Sequence, residues 1–202
     1  MPSYLPNLYQ HVPDDMFIAV WTKSPNVTEF FSVAEFENAE ERMLELAKSR
    51  DVYHSWTLLK HRPQSGRGTA ADVGASVGVM FDADLYSDDP AVHKQEALPK
   101  SLDEVLDWLS EAEIDRPTQI RSSGNGLYLD WLHPEPLIFE REAERLDYAN
   151  QVKTFHRILR ESAFKRRGWK FDVTDDLARV TRMPGTLNHK TIPAKSVEII
   201  DV

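Results

Sequence analysis

An apolar run that ends in two aspartates, GVMFDADLY at positions 78–86, places the strongest constraint on how this chain folds. Side chains in a β-strand alternate between its faces, so Asp82 and Asp84 share one face with Met80, whereas Phe81 lies on the other. Two carboxylates held about 6–7 Å apart repel each other, and a bound cation relieves the repulsion. The run therefore predicts a strand that presents a divalent metal site. An acidic turn is the alternative, because LYSDDP contains turn-forming residues.

The composition is typical of one globular domain. The chain has 202 residues, of which 41% are hydrophobic, and this length allows a proper core. It has no cysteine, which excludes disulfides, thiolate zinc sites and thiol nucleophiles and fits a reducing compartment. No apolar run approaches the roughly 20 residues that span a bilayer, and the N-terminus lacks a signal pattern. We therefore expect a cytoplasmic protein without a membrane partner.

The charge distribution limits how the chain could contact nucleic acid. A net charge of −9 argues against a binder that relies on overall positive charge. Two segments, LLKHRPQSGRGT and FKRRGWK, are nevertheless locally basic. The charges therefore permit a nucleic-acid contact that is confined to one cleft.

Hydrophobic periodicity and turn signals divide the chain into alternating strands and helices. They predict a hairpin over 17–33, helices over 34–49, 101–113 and 140–167, and strands over 51–59, 118–123, 126–132, 169–172 and 196–202. Ser101 and Glu104 form a capping-box pattern at the start of the second helix. The segment 60–76 reads as an unusually long loop, which is often a functional feature. This order predicts an α/β or α+β domain.

The segment SSGNGLY, at positions 122–128, carries a second signal. Gly124 and Gly126 flank Asn125 directly before a strand, so the backbone can approach a ligand closely and present amide groups to an anion. A plain hairpin turn is the alternative, because Asn-Gly is a strong turn signal.

The segment DVTDDLARVTRMPGTLNHK, at positions 172–190, carries the third signal. If residues 174–181 form a helical turn, Arg179 and Arg182 lie on one side of it. Three side chains suited to phosphate or ribose contacts follow Pro184: Thr186, Asn188 and Lys190. A charged surface helix explains the arginines equally well, but it does not explain the polar residues after Pro184.

These segments, in this order, resemble the archaeo-eukaryotic primase superfamily and in particular its phage- and plasmid-type primase-polymerases. The family's first motif is an acidic pair of the form DxD or DxE, its second has the form SGxGxH, and its third resembles RVxRxPGTxNxK after a metal-binding aspartate. RGTAAD at 67–72 also resembles an RGTxxD element that precedes the acidic strand. The resemblance covers roughly residues 50–190.

The resemblance implies an α+β fold, a two-lobed primase-polymerase catalytic core with an RRM-like antiparallel sheet flanked by helices. One catalytic domain would span residues 1–202. Its N-terminal α/β lobe would comprise about residues 1–75, and its RRM-like catalytic lobe about residues 76–202.

The resemblance also implies a template-directed primase or polymerase that transfers nucleotides to a 3′-hydroxyl. Two Mg²⁺ or Mn²⁺ ions would be held by Asp82, Asp84 and Asp172. The nucleotide would be bound by Ser123, Gly124, Asn125, Gly126, Tyr128, Arg179, Arg182, Asn188 and Lys190. The template or nucleotide would contact Lys60, Arg62 and Arg67. The implied partners are single-stranded DNA template and primer, dNTP or NTP, and a helicase or primer-initiation module.

Several assignments stay open at this stage. Asp175 and Asp176 compete with Asp172 as the third metal ligand, and Asp176 could instead pair with Arg179 or cap the following turn. Asp130 could join the metal site or face solvent.

Tyr128 occupies the position of the family's histidine, where a neutral phenol provides no positive charge. The substitution indicates either altered nucleotide handling or a module that has lost activity and only binds nucleotide or nucleic acid. A metal-dependent nuclease would use similar carboxylates but would not need the polar residues after Pro184.

Overall fold

The computed structural model describes residues 3–89, 92 and 97–200. Its helices are α1 (Tyr4–Leu8), α2 (Phe36–Ala47), α3 (Leu102–Glu111) and α4 (Glu142–Arg167). Its strands are β1 (Phe17–Thr22), β2 (Val27–Ser32), β3 (Val52–Ser55), β4 (Leu58–Leu59), β5 (Val73–Asp84), β6 (Gln119–Ser122), β7 (Gly126–Ile138), β8 (Val180–Thr181), β9 (Leu187–Asn188), β10 (Lys195–Ser196) and β11 (Glu198–Ile200). Short 3₁₀ turns occupy Val33–Glu35 and Ala70–Asp72.

One large antiparallel sheet organises the described residues. Its strands follow the order β11-β6-β7-β5-β4-β1-β3-β8. β2 lies outside this order and also pairs with β1. The long strands β5 and β7 form its centre, with Phe81 opposite Leu129 and Asp84 opposite Gly126. β9 and β10 form a separate two-stranded ribbon. The chain therefore has an α+β architecture in which helices flank a large antiparallel sheet, as the sequence predicted.

Each face of the central strands supports a different hydrophobic cluster. Met80 packs into a cluster with α1 and α2, whereas Phe81 packs into a cluster with α3 and α4. This alternation confirms the predicted strand geometry, so Asp82 and Asp84 follow Met80 on the α1/α2 side. The predicted boundary between two lobes, near residue 75, falls inside β5 and stays a prediction.

Local sequence signals account for several element boundaries. The hairpin β1–β2 and the three predicted helices are present. The Ser101 hydroxyl accepts a hydrogen bond from the Glu104 amide at 3.3 Å, which confirms the predicted start of α3. Gly168 ends α4 in the left-handed region, with φ of 74°. α1 was not predicted, because its five residues are too few to show a helical period.

Two predicted elements are wrong. Residues 169–172 do not form a strand, because Trp169 and Phe171 insert into the α3/α4 cluster and anchor the segment by its side chains. The segment 174–181 forms no helical turn. Its last two residues instead pair with β3 as strand β8, and the Arg179 carbonyl accepts a hydrogen bond from the Trp56 amide at 2.8 Å. Pairing with β3 at the edge of the sheet therefore takes the place of the helical turn that the spacing of the arginines suggested.

Two further elements differ in extent. The predicted strand over 51–59 is interrupted at Trp56 and Thr57, which separate β3 from β4. The long loop ends at Asp72 because β5 begins at Val73. Within the described part of the chain, no helix combines the length and the apolar character needed to cross a membrane.

Candidate active site

The acidic pair lies at the end of β5, beside the segment that follows Leu177. Asp82 is opposite Tyr128 and Asp84 is opposite Gly126 in the β5–β7 ladder. Burial, and then the charge of Asp84, raises the pKa of Asp82 to about 7. Three cations from the third motif act on Asp82 in the opposite direction: Arg179, Lys190 and Arg182. The first and third sequence motifs therefore meet at this carboxylate.

The carboxylates of β5 fit a hard divalent cation, but the structure does not complete a ligand set. Asp82, whose pKa is raised, and the neighbouring Asp84 provide oxygen donors whose repulsion a cation would relieve. Among the described residues, no group of three or more Asp, Glu or His side chains is placed to hold a metal. Asp172 is exposed at a point where the neighbouring Phe171 ring packs 5.3 Å from that of Phe81. The Phe171 side chain therefore anchors this backbone on the α3/α4 side of β5. The Asp172 carboxylate does not complete a three-ligand metal site with Asp82 and Asp84.

The SGNG turn connects the acidic strand to the third motif. The Ser123 amide donates to the Gly126 carbonyl at 2.8 Å, and Gly124 has a φ of 88° that favours glycine. The Asn188 amide group donates to the Ser123 carbonyl at 2.6 Å. The turn is therefore a hairpin, as the alternative reading of the sequence predicted, and Asn188 holds it in place.

Gly126 is needed for the close approach of β7 to β5. A Cβ at this position would lie 2.9 Å from the Ala83 carbonyl oxygen and 3.1 Å from the Asp84 Cα. Both atoms belong to the backbone, so neither can shift without distorting β5. We expect Gly126→Ala to reduce the free energy of unfolding by about 1–3 kcal/mol and to displace Asp84. Urea unfolding measures this loss, and an unchanged midpoint would show that the strands can separate without strain.

Arg182 is buried and held by two residues of the β3 segment. One of its terminal nitrogens donates to the Asp51 carboxylate at 2.9 Å and to the Tyr53 hydroxyl at 2.7 Å, and the guanidinium lies 4.5 Å from the Tyr53 ring centre. Its Nε is buried without a hydrogen-bond partner among the described residues. A buried donor of this kind is costly unless a ligand accepts from it. Arg182 can therefore donate a hydrogen bond to an anion that lies next to Asp82.

Asp51 and Tyr53 are residues that the sequence did not identify. Asp51 accepts from the backbone amide of His189 at 3.0 Å as well as from Arg182, so it fixes the third motif from both sides. The two partners are more than 130 positions away in the sequence. No local spacing or motif could have indicated this contact.

Tyr128 lies between the acidic pair and two arginines. It is buried, and the Arg121 guanidinium lies 4.7 Å from its ring centre. Burial, and then the charge of Asp82, raises the pKa of Tyr128, whereas Arg182 lowers it. The side chain is therefore neutral at pH 7 and stands beside both Asp82 and Arg182.

Asp130 forms a fully buried ion pair with Arg121, so neither earlier interpretation of it is right. The guanidinium donates to both carboxylate oxygens, at 2.6 and 3.0 Å, and neither side chain is exposed. Arg121 also donates to the Thr181 hydroxyl at 3.1 Å and to the Arg182 carbonyl at 2.9 Å. It therefore connects β6 and β7 to the backbone that carries Arg182.

The remaining acidic candidates of the third segment have other partners. Asp175 pairs with Arg160 at 3.4 Å and Asp176 pairs with Arg179 at 3.6 Å. The pairing of Asp176 with Arg179 is the alternative that the sequence suggested. Lys190 is exposed, and its backbone amide donates to the Asn188 side chain at 3.1 Å.

The three basic residues of the long loop lie in different surroundings. Arg67 lies 4.7 Å from the Trp21 ring centre, and Arg62 lies 5.0 Å from that of Phe17 and pairs with Glu35 at 3.6 Å. Lys60 directly follows β4, and its side chain lies against Gly74 near the start of β5. Of the three, Arg67 is connected to the site, because the Trp21 and Tyr53 ring centres are 5.3 Å apart.

Comparisons with known proteins find a likeness in fold. No protein-family model matches the sequence, and no curated protein sequence matches it either. The AEP domain (PP-N190) of the primase-polymerase of cyanophage S-2L matches with a TM-score of 0.58 at 10% identity, over 97% of this chain and 85% of that one. Primase RepB′ matches with a TM-score of 0.52 at 15% identity, over 98% of this chain and 54% of that one. The chain therefore has an archaeo-eukaryotic primase-type fold.

Proposed function

We propose that this protein is a DNA primase or polymerase that transfers nucleotides from dNTP or NTP to a 3′-hydroxyl on a single-stranded DNA template. The observation that carries the proposal is the meeting of the Asp82/Asp84 pair with the cations Arg179, Arg182 and Lys190 at the end of β5. Phosphoryl transfer needs this combination, because charge develops on the transferred phosphate and on the leaving pyrophosphate. The primase-type fold supports the same class of reaction.

The residues divide the work according to their chemistry. Asp82 and Asp84, with Asp172 as the proposed third ligand, would hold two Mg²⁺ or Mn²⁺ ions, which supply a Lewis acid at the 3′-hydroxyl and at the triphosphate. The Nε of Arg182 and the ammonium of Lys190 donate to the phosphates. Asn188 holds the SGNG turn beside Asp84, and the turn would contact the nucleotide through its side chains, because the amides of Ser123 and Gly124 already donate to the Gly126 carbonyl and the Ser122 hydroxyl. Tyr128 provides a neutral hydroxyl next to Arg182.

A non-catalytic module that binds nucleotide or nucleic acid is the second candidate. Two observations favour it: Tyr128 stands where the resembling family has histidine, and within residues 3–89, 92 and 97–200 no three carboxylates are placed to hold a metal. Against it, a module that only binds has no physical reason to keep two repelling carboxylates in the same cleft.

The deciding experiment is primer synthesis and extension on single-stranded template with labelled dNTPs or NTPs and Mn²⁺. We expect a product that disappears on chelation and in Asp82→Ala. Binding of nucleotide without any product, at all metal concentrations, would select the non-catalytic module. Degradation of the template would select a metal-dependent nuclease.

Replacing Tyr128 by histidine tests whether this position contacts the nucleotide. Burial next to Arg121 and Arg182 keeps an imidazole neutral, so it would add a directed N–H donor without adding charge. We expect Tyr128→His to lower the KM for nucleotide about 3- to 10-fold, the range for one ordinary net hydrogen bond. Steady-state extension kinetics measure the change. If KM and kcat both equal those of the wild type, the side chain is not at the phosphate.

A further inference from the structure

A row of arginines and aromatic rings leads away from the candidate site across the β1–β3 surface. Trp21 and Tyr53 are cross-strand partners, and their ring planes are inclined by 38° at a centroid distance of 5.3 Å. The Arg182 guanidinium lies 4.5 Å from the Tyr53 ring centre, and the Arg67 guanidinium lies 4.7 Å from that of Trp21. The order Arg182, Tyr53, Trp21, Arg67 is defined as the aromatic row.

One end of the aromatic row lies at the acidic pair. Tyr53 is close enough to Asp82 and Tyr128 for both to influence its hydroxyl, and this hydroxyl accepts the hydrogen bond from Arg182. Tyr53, Trp21 and Arg67 are each only partly buried. A ligand that occupies the site at Asp82 and continues along the sheet would therefore meet these three side chains in succession.

The two arginines of the row differ in their pairing. Arg182 is neutralised by Asp51. No carboxylate among the described residues pairs with Arg67, whose guanidinium is held by the Trp21 ring instead. Although the chain carries a net charge of −9, Arg67 places a positive charge on this aromatic surface. It suits an anionic ligand that also carries flat apolar groups.

We propose that the aromatic row binds single-stranded nucleic acid, with unpaired bases stacking on Trp21 and Tyr53 and with Arg67 contacting the backbone phosphate. Partly accessible aromatic rings interleaved with arginine are the elements by which proteins bind single strands without reading sequence. The Arg67 guanidinium lies over the Trp21 ring, and its outer face can stack on a base. A base could therefore add to this stack without displacing Arg67. The role as a template track rests on the proposed function, whereas binding of the strand does not.

The test is fluorescence anisotropy with a labelled single-stranded oligonucleotide, in chelator and without nucleotide. We expect Trp21→Ala to weaken binding about 5- to 100-fold and Trp21→Phe to retain most of it, since loss of a base-stacking ring costs this much. Arg67→Gln should reduce the slope of log K against log salt by about 1. Trp131→Ala is the matched control, because that ring packs on Phe155, outside the row, and its loss should leave affinity unchanged.

The outcomes separate this inference from the proposed function. Asp82→Asn protein should lose nucleotide transfer yet bind the oligonucleotide at least as tightly as the wild type, so an inactive chain can still pass the binding test. Wild-type affinity in Trp21→Ala, with unfolding midpoints matched to those of the control, would overturn the inference. It would also be overturned if Trp21→Ala raised only the KM for nucleotide, because the ring would then stack on the incoming base.

Discussion

Asp82→Asn is expected to slow nucleotide transfer by at least about 1000-fold, equivalent to roughly 4 kcal/mol of transition-state stabilisation, while making the metal-free protein more stable at pH 8. The loss follows because the amide replaces a charged oxygen ligand with a neutral one. The gain follows because a crowded, partly buried carboxylate no longer has to ionise. Few substitutions would move activity and stability in opposite directions so strongly.

The pH dependence of that stability gain has a definite sign. The pKa of Asp82 is about 7 in the folded protein and 3.8 ordinarily, so the folded state binds this proton more tightly than the unfolded state. The wild type therefore loses stability as the pH rises from about 4 to about 7, and the asparagine variant does not lose it. After allowance for solvent screening we expect a gain of about 1–2 kcal/mol at pH 8 and almost none at pH 4.

Thermal unfolding in chelator at pH 4 and pH 8 measures this difference. Added Mn²⁺ should stabilise the wild type at pH 8 and have little effect on Asp82→Asn. Asp107→Asn, an exposed change on α3, is the control for a general effect of removing negative charge. An equal gain at both pH values, or a gain of the same size in the control, would contradict the raised pKa.

Asp130→Asn is expected to be the most destabilising of the substitutions considered, with a loss of about 3–5 kcal/mol in the free energy of unfolding. It leaves the fully buried Arg121 charge without its counter-ion. For a chain of this length the unfolding midpoint should fall on the order of 10 °C. Urea and thermal unfolding measure both quantities.

Two comparisons make this prediction specific. Glu161→Gln removes one partner of the exposed pair with Arg157 and should cost less than about 0.5 kcal/mol. The double variant Arg121→Met/Asp130→Leu should recover only part of the loss, because Thr181 and the Arg182 carbonyl still lose their donor. A loss below about 1 kcal/mol in Asp130→Asn would mean that water reaches the guanidinium.

The sequence predicted the parts of this protein that depend on local spacing. Strand alternation placed Asp82 and Asp84 on one face, and the Gly-rich turn is next to them because β5 and β7 pair in register. The order of the motifs indicated the primase-type fold. The strand predictions succeeded because they concern neighbours in the chain or adjacent strands, whereas the fold was implied by the resemblance of the motifs to those of a known family.

Local spacing could not predict the contacts that position the site residues, because these contacts join residues that are far apart in the sequence. Asp51 meets Arg182, and Arg121 meets the Arg182 backbone, across more than 60 positions. Asp130 was expected to join the metal site or to face solvent, and neither is right because Arg121 on β6 pairs with it in the interior. Residues 169–172 have a strand-like composition, but they do not pair with a strand. The side chains of Trp169 and Phe171 are instead buried in the α3/α4 cluster.

Arg182 shows how the fold prepares this cleft for a ligand. Its guanidinium is fixed through one terminal nitrogen, by Asp51 and Tyr53, while the Nε is buried with no hydrogen-bond partner among the described residues. A long side chain normally gives up rotational freedom when it grips a ligand, but here that freedom is already lost when the protein folds. Recognition of a phosphate at this position would therefore proceed without the usual entropic penalty. A lysine has three donors, but all of them lie on one nitrogen, so it could not present separate, rigidly oriented nitrogens to the scaffold and to the phosphate.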